Sequence, residues 1–313
     1  MKQSGVIAKK QLNPLQRRWN YRELYLLLLI PVAYVALFNY GPMYGVLMAF
    51  KRFSPRLGVW RSNWVGLYNF ERLFKSPLFA NILRNTLVLS IYSLFASFPF
   101  SIILAICVNH CIFSKFKKIT QSLTFAPHFL SAVLMVGLVV QMLSTRTGAV
   151  NMFLVQMGLP EINFLGSSKA FPHVYVWSQI WQHTGYGAII YISSLASVDP
   201  TYHEAAIIDG ANLWQRVWHI DLTTIRPIII IMIILSMGRI LGGNFEIIYL
   251  MQNNLNLSTS EIINTYVYKV GLVSQQPDYS FGTAIGLFQN VVGLALTMTV
   301  NKIANTISGE GMF

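Results

Sequence analysis

Charged side chains are scarce in this chain, and their scarcity excludes an ordinary soluble domain. Only 11% of the 313 residues are charged, whereas 54% are hydrophobic. Soluble domains carry charge on about a quarter of their residues, because a folded surface needs polar groups to remain in water. Most of the chain must therefore face a non-aqueous solvent, which predicts an integral membrane protein.

Acidic residues are especially few, and the formal net charge is +12. In a soluble protein this balance would suggest a nucleic-acid partner. In a membrane protein, basic residues near span ends help to set topology and meet anionic lipid head groups. We therefore expect contact with membrane lipid and no nucleic acid.

The chain also lacks the residue patterns of common catalytic and cofactor sites. Cys107 and Cys111 have helical i,i+4 spacing in one apolar run, which predicts neither a disulfide framework nor a zinc site. His128, His173 and His183 are not spaced as metal ligands, and no glycine-rich phosphate-binding loop is present. We expect no catalytic residues, no metal and no cofactor in this chain.

Long apolar runs are what the chain does have. A helix needs roughly 20 mostly apolar residues to cross a bilayer, and its backbone groups must be satisfied internally. The sequence predicts an all-α polytopic membrane protein with about six transmembrane helices, at residues 24–50, 85–114, 119–145, 170–198, 224–242 and 281–301. The basic stretch before the first run lacks a small-residue cleavage site, so we expect a span there and not a signal peptide.

An even number of spans places both termini on one side of the membrane. The basic tail 1–23 and the lysines Lys115, Lys117 and Lys118 predict that this side is the cytoplasm. The transmembrane domain is then 24–302 and the C-terminal tail is 303–313. The extracytoplasmic loops are expected at 51–84, 146–172 and 243–278. The loop 51–84 is itself basic and departs from the positive-inside rule.

A polar segment, 199–223, separates two apolar spans and should face the cytoplasm. Asp199 or Thr201 can cap a first helix that has Pro200 at its first position, with Glu204 three residues after Thr201. Gly210 can adopt the positive φ that ends such a helix. The small residues that follow Glu204 allow close approach by another protein, so we expect a helix that binds a soluble partner.

The same segment carries a motif of fixed spacing, formed by Glu204-Ala205-Ala206, Asp209-Gly210-Ala211, Ile220 and Pro227. This motif resembles the EAA loop of ABC importer permeases, the coupling helix that docks on a cytoplasmic ATPase. One departure is Thr223, where that family usually has proline.

The resemblance extends over nearly the whole chain, to one branch of sugar permeases that includes alginate and aldouronate oligosaccharide importers. It is carried by Tyr40-Gly41-Pro42-Met43-Tyr44-Gly45, Trp64-Val65-Gly66-Leu67, Arg84-Asn85-Thr86-Leu87, Pro127-His128-Phe129-Leu130-Ser131, Asn163-Phe164-Leu165-Gly166 and Thr265-Tyr266-Val267-Tyr268.

This resemblance implies the type I importer fold and a location in the bacterial inner membrane. It also implies a homologous second permease, two cytoplasmic ATP-binding subunits that hold ATP and Mg, and an extracytoplasmic solute-binding protein. The implied cargo is an oligosaccharide, with an acidic uronate such as alginate as one candidate. The residues implied to couple to the ATPase are Glu204, Ala205, Ala206, Asp209, Gly210 and Ala211.

Polar residues inside the spans are candidates for the sugar path, because such groups are costly in lipid and usually face a cavity or a partner. Interhelical hydrogen bonding is the alternative for each of them. For Arg239 the alternatives are an ion pair with Glu246 or a contact with a uronate carboxylate. The candidates for the path are Gln182, His183, Tyr186, Arg239, Asn244 and Gln289.

A secondary transporter of a polar solute is the alternative function. It would need broken helices in mirrored positions and an intramembrane acid for ion coupling. We see no intramembrane acid except Glu246, at an edge, and no mirrored halves are visible. A membrane enzyme would need a cluster of histidine or acidic residues at the membrane face, and the sequence shows none.

Overall fold

The computed structural model describes residues 22–308, so most of the predicted basic tail 1–23 lies outside the described residues. The first apolar run begins as helix α1 (Arg22–Val35) and continues through a π-helical turn (Ala36–Tyr40) into a 3-10 helix (Gly41–Phe50). Proline contributes to this irregularity, because Pro42 cannot donate a backbone hydrogen bond.

The remaining helices follow in chain order. They are α2 (Gly58–Arg61), α3 (Tyr68–Lys75), α4 (Phe79–Asn109), α5 (Ser114–Phe125), α6 (Ala132–Leu143), α7 (Ala149–Gln156), α8 (Phe171–Leu195), α9 (Pro200–Ile208), α10 (Leu213–Arg216), α11 (Leu222–Gly238), α12 (Phe245–Met251), α13 (Leu257–Ser260), α14 (Ile263–Tyr268) and α15 (Tyr279–Ser308). Two short antiparallel strands, β1 (Lys51–Arg52) and β2 (Asn63–Trp64), pair Lys51 with Trp64. The all-α fold class is confirmed.

Membrane-length helices are fewer than the six spans predicted. Within residues 22–308, four helical stretches are long and apolar enough to cross a bilayer, and a fifth is obtained if α5 and α6 count as one broken span. The stretch predicted as the third span, 119–145, is bent by 103° between these helices. The stretch predicted as the fourth span forms α8, which has the length but is too polar to qualify, because glutamine, histidine, serine and threonine interrupt it.

Several predicted boundaries also need correction. Helix α4 starts before the predicted span and ends at Asn109, and Lys115, Lys117 and Lys118, expected in the short loop after the second predicted span, lie on α5. Helix α15 continues to Ser308, and the predicted tail 303–313 is therefore helical in its described part. The predicted loop 51–84 contains the strands, α2, α3 and the start of α4.

The predicted loops gather at two opposite ends of the bundle. Ser168 donates a hydrogen bond to the Leu255 carbonyl over 2.9 Å, and Arg72 pairs with Asp278 at 2.5 Å, so all three predicted outer loops meet at one end. At the other end, the last turn of α4 contacts the segment 199–223. This grouping agrees with the predicted topology, whose sidedness stays a prediction.

The core is built around α4 and α8. One buried cluster joins them to α6 and α12 through Leu89, Met135, Phe171 and Ile248. At Gly185, the backbone of α8 lies so close to α5 that an added Cβ would be 2.1 Å from the Thr124 carbonyl oxygen. Two polar side chains of α8, Gln179 and Gln182, are buried, so polar groups lie inside the bundle.

Candidate functional site

Helix α9 is formed by signals that act within its own turns. The carboxylate of Asp199 accepts a hydrogen bond from the Thr201 backbone N–H at 3.0 Å, and Pro200 occupies the first helical position. This bond, and secondly a bond with the Thr201 side chain, hold the pKa of the Asp199 carboxyl below its ordinary value. Of the two predicted caps, Asp199 is the one that forms, and Glu204 takes no part in it.

The end of α9 depends on Gly210. Its φ is +79°, which lies in the left-handed region. Glycine adopts this conformation readily because it has no Cβ that would come too close to the neighbouring backbone. The Gly210 N–H bonds to the Ile207 carbonyl and the Ala211 N–H to the Ala206 carbonyl, which together form a Schellman motif. The predicted glycine break is confirmed.

A second short helix returns the chain to the bundle. Asn212 and Gln215 form a capping box at the start of α10, with bonds of 2.8 and 2.9 Å. A π-helical turn, Val217–Asp221, then leads directly into α11. Thr223 lies in the first turn of α11, where proline is also tolerated, so the departure at this position does not break the helix.

The segment presents an apolar and acidic surface to solvent. Ile208 is 85% exposed and Trp214 is 80% exposed, and Glu204 is exposed on the same helix as Ile208. A groove of about 320 Å³ runs between α9 and the turn that follows α10, lined by Ala206, Asp209, Gly210, Ala211, Gln215, Arg216, His219 and Ile220. Large exposed apolar side chains beside a groove are typical of a protein-binding surface.

The glutamines of α8 are used differently from one another. Gln182 is buried and donates to the Leu130 carbonyl at 3.1 Å, where the third predicted span is broken. It therefore satisfies a backbone group that the break leaves without a helical partner. Gln179 accepts from the Asn244 amide at 3.1 Å, while its own buried Nε2 has no partner in residues 22–308.

An aromatic and imidazole cluster lies one turn further along α8. The Nδ1 atoms of His183 and His128 are 3.0 Å apart, and the His128 ring stacks on Tyr186 with centroids 3.8 Å apart. Sequence reasoning named His183 and Tyr186 but did not connect them with His128, because 55 residues separate the two histidines. The half-exposed ring of Tyr186 gives this cluster an aromatic face.

The other predicted path residues lie around the end of α11. The Gln289 amide donates to the Leu241 carbonyl at 2.7 Å, and Arg239 ends α11 with an exposed side chain. None of the ion pairs among residues 22–308 includes Arg239, so the predicted alternative of an Arg239–Glu246 pair is wrong. The turn at Gly243, which has a φ of +54°, separates the two helices that carry these charges.

Polar groups also line a cleft of about 180 Å³ between α4, α8 and α11. They are Ser97, Ser101, Gln179, His183, Thr184, Tyr191 and Ser236. The described part of the chain holds no group of three or more histidine, cysteine or acidic residues placed to bind a metal ion. The arrangement suits the binding of hydroxyl-rich solutes.

Membrane-length helices, buried polar side chains inside the bundle and an exposed helix at one end are features of subunits of membrane transporters. The chain belongs to the family of binding-protein-dependent transport system inner membrane components, which matches residues 75–307.

Two proteins of Bacillus subtilis (strain 168) are similar over almost their whole length. Protein LplB is 41% identical over 290 residues, which cover 93% of this chain and 91% of LplB. The polygalacturonan/rhamnogalacturonan transport system permease protein YteP is 40% identical over 292 residues, covering 93% of this chain and 90% of YteP.

Two solved structures share the fold. A bacterial ABC transporter involved in the import of the acidic polysaccharide alginate matches with a TM-score of 0.86 and 35% identity, covering 94% of this chain and 99% of the other. The bacterial alginate ABC transporter in complex with an alginate pentasaccharide-bound periplasmic protein matches with a TM-score of 0.87 and 34% identity. The match covers 96% of this chain and 99% of the other.

These similarities confirm the resemblance found in the sequence. The chain is a permease subunit of the sugar and oligosaccharide branch of ABC importers, and it has the type I fold. It is an integral membrane component of a binding-protein-dependent transport system. The alternative of a secondary transporter is wrong.

Proposed function

We propose that this permease imports an acidic oligosaccharide into the cytoplasm of a bacterium. It pairs with a homologous permease, two cytoplasmic ATPase subunits that hold ATP and Mg, and an extracytoplasmic solute-binding protein. It lies in the inner membrane with both termini in the cytoplasm and contributes no cofactor of its own.

The names of similar proteins support an acidic cargo. YteP is named for polygalacturonan and rhamnogalacturonan, and both solved structures concern alginate. Polygalacturonan, like alginate, is an acidic polysaccharide. A permease that carries such a polysaccharide needs cations along its path. Carboxylates are strongly hydrated in water, and opposite charge must replace this hydration when they leave the water.

Arg239 carries the proposal. A guanidinium at the end of a membrane-length helix is costly unless it meets water, an acid or a ligand. Its side chain is exposed and forms no ion pair within residues 22–308. Its planar, bidentate geometry matches a carboxylate. We infer that Arg239 meets uronate carboxylates as they pass.

An acidic oligosaccharide should be attracted by a basic surface at the entrance of the transport path. The loop 51–84 supplies this basic surface. Arg72 and Lys75 are paired with Asp278 and Glu71. The exposed guanidiniums of three further arginines form no ion pair in the described part of the chain, and they are Arg52, Arg56 and Arg61. Such a field raises the local concentration of an acidic ligand.

The substrate proposal is tested with Arg239→Gln in the complete complex, reconstituted with its solute-binding protein. We expect normal assembly and a selective loss of ATPase stimulation by an acidic oligosaccharide. Arg239→Lys, which keeps the charge but not the bidentate geometry, should retain part of it. Glu246→Gln is the control and should leave yield and stimulation unchanged. An assembled Arg239→Gln complex with full stimulation contradicts the path role.

We further propose that α9 is the coupling helix and that Glu204, Ala205, Ala206, Asp209, Gly210 and Ala211 contact the ATPase. The exposed acid, the small residues and the adjoining groove support this role. Glu204→Lys should abolish ATPase binding and transport, because reversing one charge of a docked pair can cost several kcal/mol. Glu161→Lys makes the same reversal on the loop 146–172 and should bind the ATPase normally. ATPase binding by Glu204→Lys at wild-type affinity contradicts the assignment.

A further inference from the structure

Asp221 lies at the base of the coupling segment and has no exposed surface. It is the last residue of the π-helical turn Val217–Asp221 and directly precedes α11. A buried carboxylate is costly unless opposite charge and hydrogen bonds compensate for lost water. The residues that surround Asp221 therefore decide whether it can be held there.

Two histidines from two other helices reach this carboxylate. His110, at the end of α4, places its Nε2 2.6 Å from one carboxylate oxygen. His203, on α9, places its Nε2 3.5 Å from the other oxygen, which is ion-pair distance without a hydrogen bond, and this oxygen has no hydrogen-bond partner among residues 22–308. The two imidazole rings are also in edge-to-face contact, with centroids 5.7 Å apart. One carboxylate thus connects α4, α9 and α11.

Helix α9 has few other contacts with its own chain. Of its residues, only His203 and Ala206 are half-buried while the others are exposed, and the two lie three positions apart on one face. Ala206 offers a single methyl group, so the polar connection between α9 and the helices behind it passes through His203.

We propose that Asp221 is a positioning residue for energy coupling, which relays displacement of α9 to α4 and α11. The proposal rests on the proposed role of α9 as the coupling helix. A partner that pushes on the exposed face of α9 moves His203, and the carboxylate passes this movement to His110 and, through its own backbone, to α11. Helices α4 and α11 both pack on α8, in a buried cluster that contains Ala105 of α4, Ala188 of α8 and Ile225 of α11. The displacement therefore reaches the polar interior of the bundle.

The test compares ATP hydrolysis with oligosaccharide uptake in proteoliposomes that hold the complete complex. His203→Ala removes only the connection from α9 and keeps the contact between His110 and Asp221, while Asp221→Asn removes the charge in nearly the same shape. We expect both complexes to assemble and hydrolyse ATP, with uptake per ATP lowered about tenfold, within the range usual for coupling between sites. His173→Ala is the control, because this histidine bonds to Tyr92 at the far end of α8 and should leave the ratio unchanged.

Uptake per ATP is the quantity that decides the outcome. A purely structural role lowers the amount of assembled complex but leaves uptake per ATP at the wild-type value, and that result overturns the relay. If Asp221→Asn fails to fold, His203→Ala alone decides in the same way. ATPase binding by Glu204→Lys separates the two proposals. If that variant loses the ATPase while His203→Ala keeps the wild-type ratio, the relay is wrong and the coupling helix stands.

Discussion

Replacing Gly210 isolates the backbone geometry that ends α9. Its φ is +79°, and no heavy atom lies within 4 Å of the position that a Cβ would take. The cost of a side chain therefore comes from the left-handed backbone alone, roughly 1–2 kcal/mol for a residue other than glycine. In Gly210→Val, the chain can relieve this strain only by leaving the left-handed conformation, which breaks the Schellman bonds and alters the surface beside them. If docking needs the native turn, ATPase affinity should fall by a factor of about 5–30, the equivalent of that free energy.

The assay is the affinity of the purified ATPase for the permease pair in lipid nanodiscs. Gly158→Val is a matched control, because Gly158 has a φ of +77° and equally open space, but ends α7 on the loop 146–172. It should carry the same backbone strain and bind the ATPase normally. Gly210→Asn should retain most of the affinity, since asparagine tolerates this conformation. Wild-type affinity for Gly210→Val, or an equal loss for Gly158→Val, refutes the reasoning.

Three further predictions concern packing and topology. Gly185→Leu should destabilise the fold by about 1–3 kcal/mol through overpacking against α5, and this loss should appear as lower thermal stability. Gly286→Leu is the control and should not lower thermal stability, because an added Cβ meets open space there. Gln182→Leu leaves the Leu130 carbonyl without its partner and should cost about 1–3 kcal/mol in the same assay. Asn212→Cys, without the two native cysteines, should react with a membrane-impermeant thiol reagent only in permeabilised cells. Labelling of intact cells would overturn the predicted topology.

Local signals explain why α9 could be predicted from sequence. Asp199, Pro200 and Gly210 each act within one turn of the residues they affect, and each does what its side chain or backbone favours. The EAA-type motif adds to this because its residues lie in one contiguous segment. Secondary structure of this kind needs no information from the rest of the chain.

The break in the third predicted span could not be predicted in the same way. The stretch 119–145 is almost continuously apolar, and composition cannot distinguish one span from two helices bent by 103°. The break is stabilised by Gln182, more than 50 residues later, through its bond to the Leu130 carbonyl. The structural role of Gln182 becomes visible only once α8 packs beside the break.

Long-range contacts also explain what was missed at the candidate sites. His110 and Asp221 are 111 residues apart, and nothing in their local sequence indicates that they meet. Arg239 and Glu246 suggested an ion pair because they are near in sequence, yet the turn at Gly243 separates them. Proximity along the chain is a poor guide to pairing wherever a helix ends between two charges.

The preference for an acidic cargo is tested most directly by the ATPase activity of the reconstituted complex. The solute-binding protein is supplied with oligogalacturonides of one length, either as free acids or as their methyl esters, which keep the sugar chain but remove the charge of each carboxyl group. We predict strong stimulation of ATP hydrolysis and uptake by the acids and little by the esters. Equal stimulation by both forms, or stimulation by the esters alone, would contradict the claim that this permease imports an acidic oligosaccharide.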